Sequence, residues 1–367
     1  MNKQKQNFLT VGLLSLLVLG FAAWFLLKSP DEISASERRR LATRPPLQAG
    51  TLLSGAYASR LETYLQDQFP LRAQLRCVHA VTLYSLLQQR DVDGVYLSQG
   101  YAAKLEDPLD EASVQYAAGR FQALYDTLLR DTDCRVYLSV IPDKSYFLAA
   151  SAGRPFTDDQ VLAELLRAQT PFAEYIDLFG SLCLEDYYKT DSHWRQERLQ
   201  PAAKTLAEAM GVGLSGAGYT QNTLERPFTG VYAGYSALPM KPEPLCYLTS
   251  PTLESAEVWN YETGAAGSVY DFEKAAGLDA YELFLSGSVS LISMENPNAG
   301  TDRELIIFRD SFASSLAPLL LEGWRKITLV DVRYLGSERV GNYLSFENQD
   351  VLFLYSASVL NHSETLK

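Results

Sequence analysis

The chain has 367 residues, 47% of them hydrophobic and 21% charged, and a formal net charge of −12. That hydrophobic share excludes wholesale disorder, and the length allows two or three domains or one large α/β domain with insertions. The acidic balance speaks against nucleic acid as a partner, because phosphate contacts demand clustered Lys and Arg.

In chain order, the first feature is Phe8 to Leu27, twenty residues without a charge. At ~1.5 Å per residue a helix of that length crosses a bilayer core. The run is apolar on all faces and predicts an uncleaved anchor over residues 1–28. A signal peptide cut near Gly20–Ala23 is the rival. Lys3 and Lys5 precede the run, while Lys28, Arg38, Arg39, Arg40 and Arg44 follow it. Counted literally, the positive-inside rule places the large domain in the cytoplasm.

Residues 29–56 read as a juxtamembrane linker with little hydrophobic periodicity, in which Arg38–Arg40 is a solvated run within reach of anionic headgroups. The main domain is expected over 57–367. It opens with two helical stretches, Ala56–Gln68 and Leu71–Gln89, broken by Phe69-Pro70. In the second, Leu71, Leu75, Val78 and Leu86 share a face that Thr82 interrupts. Gly94 to Gly100 predicts a hairpin.

From about residue 112 helices and strands alternate. Helices are expected over Ala112–Leu129, Asp158–Ala168 and Glu197–Met210, and strands over Arg135–Ile141 and Glu174–Leu178. Residues 211–300 are rich in Gly, Pro and Tyr and read as an inserted antiparallel or irregular subdomain, with short alternating segments at Glu257–Tyr261 and Val289–Met294. The alternation resumes with strands Leu305–Phe308, Ile327–Val332 and Val351–Tyr355 and a helix over Ala313–Gly323. Short apolar runs separated by helices predict a mostly parallel sheet with helices on both faces. The four cysteines, Cys77, Cys134, Cys183 and Cys246, lack the spacing of a zinc site. An even count permits disulfides, with Cys134 and Cys183 the pair to test, and buried free thiols are the equal alternative.

Two segments carry residues suited to chemistry. In Thr190-Asp191-Ser192-His193-Trp194, an Asp two residues before a His allows the carboxylate to orient the imidazole. The chain has three histidines, and neither His79 nor His362 lies in a comparable loop. In Arg309-Asp310-Ser311-Phe312, Ser311 occupies the turn between a buried strand and a helix. That is the edge where open α/β sheets bind ligands, beside helix N–H groups able to stabilise an oxyanion. A simple N-cap is the plain alternative for Asp310 or Ser311. Ser311, His193 and Asp191 together make a complete acyl-transfer set. Lys144 at a strand end and Arg333 near another are substrate candidates, with turn formation and ion pairing as their ordinary roles. Trp194 suits either stacking on a sugar ring or the core.

YYKTDSHW resembles the signature of the DHHW family, whose usual form has a second His where Ser192 stands. RDSFASSLAPLL, ITLVDVRYL and DVLFLYS resemble that family's other block, and SERRRLATRPPL and YLQDQFPLR its N-terminal segments. The family is more distantly similar to the SGNH-like O-acetyltransferases of the alginate machinery, in which Asp-x-His also precedes Ser. The resemblance implies an SGNH-hydrolase-like α/β fold and an extracytoplasmic, membrane-tethered enzyme that acetylates a cell-surface or exported polysaccharide through Ser311, His193 and Asp191. It needs no metal or cofactor of its own. The acetyl donor would come from a partner, a multi-spanning membrane acyltransferase. Arg309 stands where SGNH hydrolases have Gly, and Gly230 and Gly234 are candidates for their oxyanion-hole glycine, with turn glycines as the ordinary reading. A glycan esterase using the same three residues, and a non-catalytic scaffold binding polysaccharide or a membrane partner, are the alternatives.

Overall fold

The computed structural model describes residues 3–216 and 218–367. The chain forms two units, one of Met1–Asp93 with Ala233–Pro239 and one of Gly94–Tyr232 with Met240–Lys367. The short segment 233–239 returns to the first unit. There Gly234 packs so closely that an added Cβ would lie 1.9 Å from the Ser36 carbonyl oxygen.

The first unit contains helix α1 (Lys3–Leu27), α2 (Ala56–Asp67) and α3 (Arg72–Val81), which runs on into a wider turn over Thr82–Leu86. α1 is long and apolar enough to cross a membrane, and none of its residues is buried. The segment read as a linker is tied down. The buried Asp67 accepts two bonds from Arg39, at 2.9 and 2.6 Å, and one from the Ala42 N–H at 2.8 Å. Glu37 pairs with Arg72 and Arg76. Arg39 is thus committed to an ion pair and taken out of a solvated run. The apolar face of α3 is not a buried one: Leu71, Leu75, Val78 and Leu86 are all exposed.

The second unit opens with the hairpin β1 (Val95–Ser98) and β2 (Tyr101–Lys104), turned by Gln99 and Gly100, both at positive φ. Such a pair matches strand twist in a two-residue turn. Then follow α4 (Glu111–Leu124), β3 (Arg135–Ile141), α5 (Lys144–Ala152), α6 (Asp159–Gln169), β4 (Glu174–Tyr175) and α7 (Gln200–Ala209). Next come β5 (Thr220–Thr223), β6 (Cys246–Thr249), β7 (Glu257–Asn260), β8 (Ala265–Gly267) and β9 (Leu291–Glu295). The chain finishes its core with β10 (Glu304–Arg309), α8 (Ala313–Leu320), β11 (Lys326–Val330) and β12 (Asp350–Ser356).

Eight strands form one sheet in the order β8-β7-β9-β11-β10-β12-β3-β4. From β11 to β4 neighbours are parallel, while β9, β7 and β8 extend the sheet antiparallel beyond β11. Part of the stretch read as an insertion thus completes the main sheet, and β5 pairs with β6 apart from it. Strand periodicity explains the layers. Leu305, Ile307, Leu352 and Leu354 face a core that includes Ala203 and Leu206 of α7 and Leu316 of α8. Ile306, Phe308, Val351 and Phe353 face the opposite core, with Phe121 of α4 and Leu162 and Leu166 of α6. Successive strand side chains point to opposite faces, so both faces being covered makes each strand continuously apolar.

The cysteines are free thiols, the alternative left open beside a Cys134–Cys183 pair. Cys134 Sγ lies 3.5 Å from Gln349 Oε1 and Cys183 Sγ 3.3 Å from Asp186 Oδ2, so each thiol has a separate polar neighbour.

Candidate functional site

The site begins where β10 stops. Asp310 is fully buried, and its carboxylate accepts the Phe312 N–H at 3.0 Å and both the N–H and the hydroxyl of Ser356 at 2.7 Å. Ser356 ends the neighbouring strand β12, so Asp310 ties the turn to the sheet and holds Ser311 at its edge. Asp310 is therefore no ordinary helix cap, since the bonds that satisfy it span two strands.

The second element is the loop Tyr187–Trp194, closed by a bridge between those two residues. Asp191 is fully buried, and its Oδ1 lies 2.6 Å from His193 Nδ1. Asp191 also accepts the His193 N–H at 3.1 Å and the Val231 N–H at 2.8 Å. His193 Nε2 lies 2.8 Å from Ser311 Oγ. A proton on Nδ1, held by the carboxylate, leaves Nε2 as the acceptor for the serine hydroxyl.

The surroundings fix that chain of three. The ring of Tyr281 stacks on His193 with centroids 4.0 Å apart, and its hydroxyl lies 2.7 Å from Ser315 Oγ. Trp194 is buried and donates through Nε1 to the Phe312 carbonyl at 3.0 Å and to Ser315 Oγ at 2.9 Å. It clamps the histidine loop onto α8. Glu243 accepts the N–H and hydroxyl of Thr190, both at 2.8 Å. Lys144 is completely buried and donates from Nζ to the carbonyls of Tyr188 at 2.8 Å and Asp191 at 2.6 Å. Burial pushes its ammonium down to about 8, despite the opposing pull of Asp143, Asp191 and Glu243.

Three of the sequence candidates are therefore brought together: Asp191, His193 and Ser311. Lys144 and Trp194 support the loop from within. Arg333 holds Asp331 through two bonds, at 2.9 and 2.6 Å, the ion pair foreseen as its ordinary role. The Gly230 N–H is spent on Thr190 Oγ1 at 2.8 Å, and an added Cβ there would lie 2.3 Å from Asp191 Cβ. Its role is close packing behind the carboxylate. Gly234 belongs to the first unit. The Gly230 N–H, so engaged, does not match the oxyanion reading. The Ser311 N–H finds no partner among the described residues.

Arg309, which departs from the glycine of SGNH hydrolases, turns its guanidinium away into the interior. It donates to the Val289 carbonyl at 2.9 Å and Ser314 Oγ at 3.0 Å, and lies 4.0 Å from Asp331. Tyr281 and Glu243 escaped the sequence reading. Each is an ordinary residue whose partner lies far along the chain, and no local spacing marks it.

No family model matches this sequence, and no curated protein does. Solved structures do. A DHHW family protein from Eubacterium siraeum DSM 15702 is 20% identical over 75% of this chain and 95% of its own, with a TM-score of 0.61. Bacillus cereus PatB1, in a structure with a sulfonyl adduct, is 20% identical over 72% of this chain and 95% of its own, with a TM-score of 0.58. The O-acetyltransferase domain of Pseudomonas putida AlgJ overlaps less well: 13% identity, 73% and 92% coverage, TM-score 0.45. The likeness first read in YYKTDSHW and RDSFASSL thus extends to the architecture: the chain has the α/β fold of a solved DHHW family protein.

Proposed function

We propose that this chain is a membrane-anchored, extracytoplasmic acyltransferase that moves an acetyl group onto a polysaccharide hydroxyl through an ester on Ser311. The observation that carries the reading is the continuous hydrogen-bond chain from Ser311 Oγ to His193 Nε2 at 2.8 Å and from His193 Nδ1 to Asp191 at 2.6 Å. Ser311 Oγ attacks the donor's acyl carbon while its proton passes to Nε2. The bond from acyl carbon to leaving group breaks, and the leaving group takes that proton. In the second half the sugar hydroxyl gives its proton to Nε2 and attacks the acetyl ester. Ser311 then recovers the proton and is released. Asp191 stabilises the imidazolium in both halves, and the Ser311 N–H is the backbone donor assigned to the oxyanion. The acetyl donor would be presented by a multi-spanning membrane acyltransferase.

Sulfonyl fluorides trap activated hydroxyl nucleophiles, and the sulfonyl adduct of the Bacillus cereus neighbour fits a site of this kind. Full-length protein in detergent, given phenylmethylsulfonyl fluoride or p-nitrophenyl acetate, is expected to gain one adduct at Ser311 by mass spectrometry. Ester turnover should fall by about 10³-fold or more in Ser311→Ala and in His193→Ala. Acetyl recovered on an added oligosaccharide marks a transferase, and acetate released to water marks an esterase. A folded chain with neither adduct nor turnover refutes the enzyme and leaves the binding scaffold.

A further inference from the structure

The first unit carries an exposed apolar surface, which α1 meets at Phe69. Leu65, Phe69, Leu71, Leu75, Val78, Leu86 and Leu87 are all exposed, Val78 by 62% and Leu86 by 74%. A contiguous patch of this kind marks an interaction site. Arg72 and Arg76 border this surface beside Leu65, Phe69 and Leu75, with their guanidinium groups already engaged. Arg72 pairs with Glu37, and Arg76 donates to the carbonyls of Gly234 and Tyr235 at 3.2 and 2.7 Å.

What lies against this patch is indicated by α1. Phe21 stacks on Phe69 with centroids 5.6 Å apart, and Phe25 meets Tyr64 edge-on at 6.0 Å. Phe21 and Phe25 fall within the uncharged run Phe8–Leu27. At ~1.5 Å per residue, Phe21 sits about 9 Å inside the end of that run. Anything packed on Phe21 is drawn about as deep as the apolar face of an interfacial helix sits. α3, ten residues long, is too short to cross a bilayer but suited to lie in its surface.

We infer that the exposed apolar face of α2, α3 and the following turn is a lipid-binding surface, embedded in the interface of the bilayer that α1 crosses. The inference rests on α1 being retained as the anchor. The unit is thereby held at two places, and the linker between them is laid along the membrane.

The test uses the full chain in liposomes containing a phospholipid with a diazirine on its acyl chain, with photo-adducts mapped by peptide mass spectrometry. Adducts in both α1 and residues 64–87 are expected. The triple variant Leu75→Glu, Val78→Glu, Leu86→Glu, with an unchanged circular dichroism spectrum, should lose about tenfold of the adducts in 64–87 and keep those in α1. Adducts in α1 alone, or chain-to-chain crosslinks through 64–87, overturn the inference and leave the anchor standing. Adducts in 64–87 without α1 remove the anchor and overturn the inference with it. Adducts in neither overturn both.

Discussion

Gly230 is the residue whose replacement should separate geometry from chemistry. A Cβ at this position would lie 2.3 Å from Asp191 Cβ and 2.4 Å from its Cα and N, closer than real side chains approach. Gly230→Ala must therefore displace the Asp191 backbone, and with it the carboxylate that orients His193. Misplacement by ~1 Å costs about 10²-fold in rate. Turnover is expected to fall that far with a lowered Tm, whereas Ser311→Ala should abolish turnover and leave Tm unchanged. Enzyme assay and thermal melts of the two variants together check this. At this scale Asp191, His193 and Ser311 were legible as a set, and Tyr281 and Glu243 beside them were not. Ser, His and Asp in loops form a narrow chemical vocabulary, and with three histidines in the chain the choice was small. Nothing distinguishes Tyr281 from the other tyrosines until its ring is found 4.0 Å from the imidazole.

Among elements, the strands were the most legible, because an apolar run buried on both faces leaves little alternative. Arg135–Ile141 matches β3 end to end. Helix α5 was hidden by Pro142-Asp143, which resembles a turn. Asp143 instead caps α5 by accepting the Ser145 N–H at 2.8 Å. The corner it makes also receives α6, whose Asp159 accepts the Asp143 N–H at 2.6 Å. Burial raises both carboxyls, and the negative charge of Asp143 raises that of Asp159 further. A carboxyl whose folded value is raised supplies stability that is complete below its usual 3.8 and is lost as pH climbs through the raised value. Asp159→Asn keeps the acceptor and cannot ionise. It is expected to raise Tm at pH 8 by about 2–4 °C and to have a smaller effect at pH 4. Melting curves at the two pH values check it, and an equal shift at both rules out the buried charge as the cause.

For the whole molecule, the fold class was readable from alternation alone, but the division into units was not. Residues 233–239 return to the first unit through Gly234 against Ser36 and through the carbonyls that Arg76 holds, contacts that sequence proximity does not announce. The eight-stranded sheet has a further property in the strands that bound it. β4 has two residues and β8 three, against seven in β3 and β12. A long, flat outer strand offers unpaired N–H and C=O groups as a template on which other chains can add. Here each rim offers little more than one repeat of that template. The chain is thus guarded against joining other copies edge to edge. Size-exclusion profiles of the solubilised chain should stay unchanged in elution volume over a hundredfold dilution, and thioflavin T should stay dark.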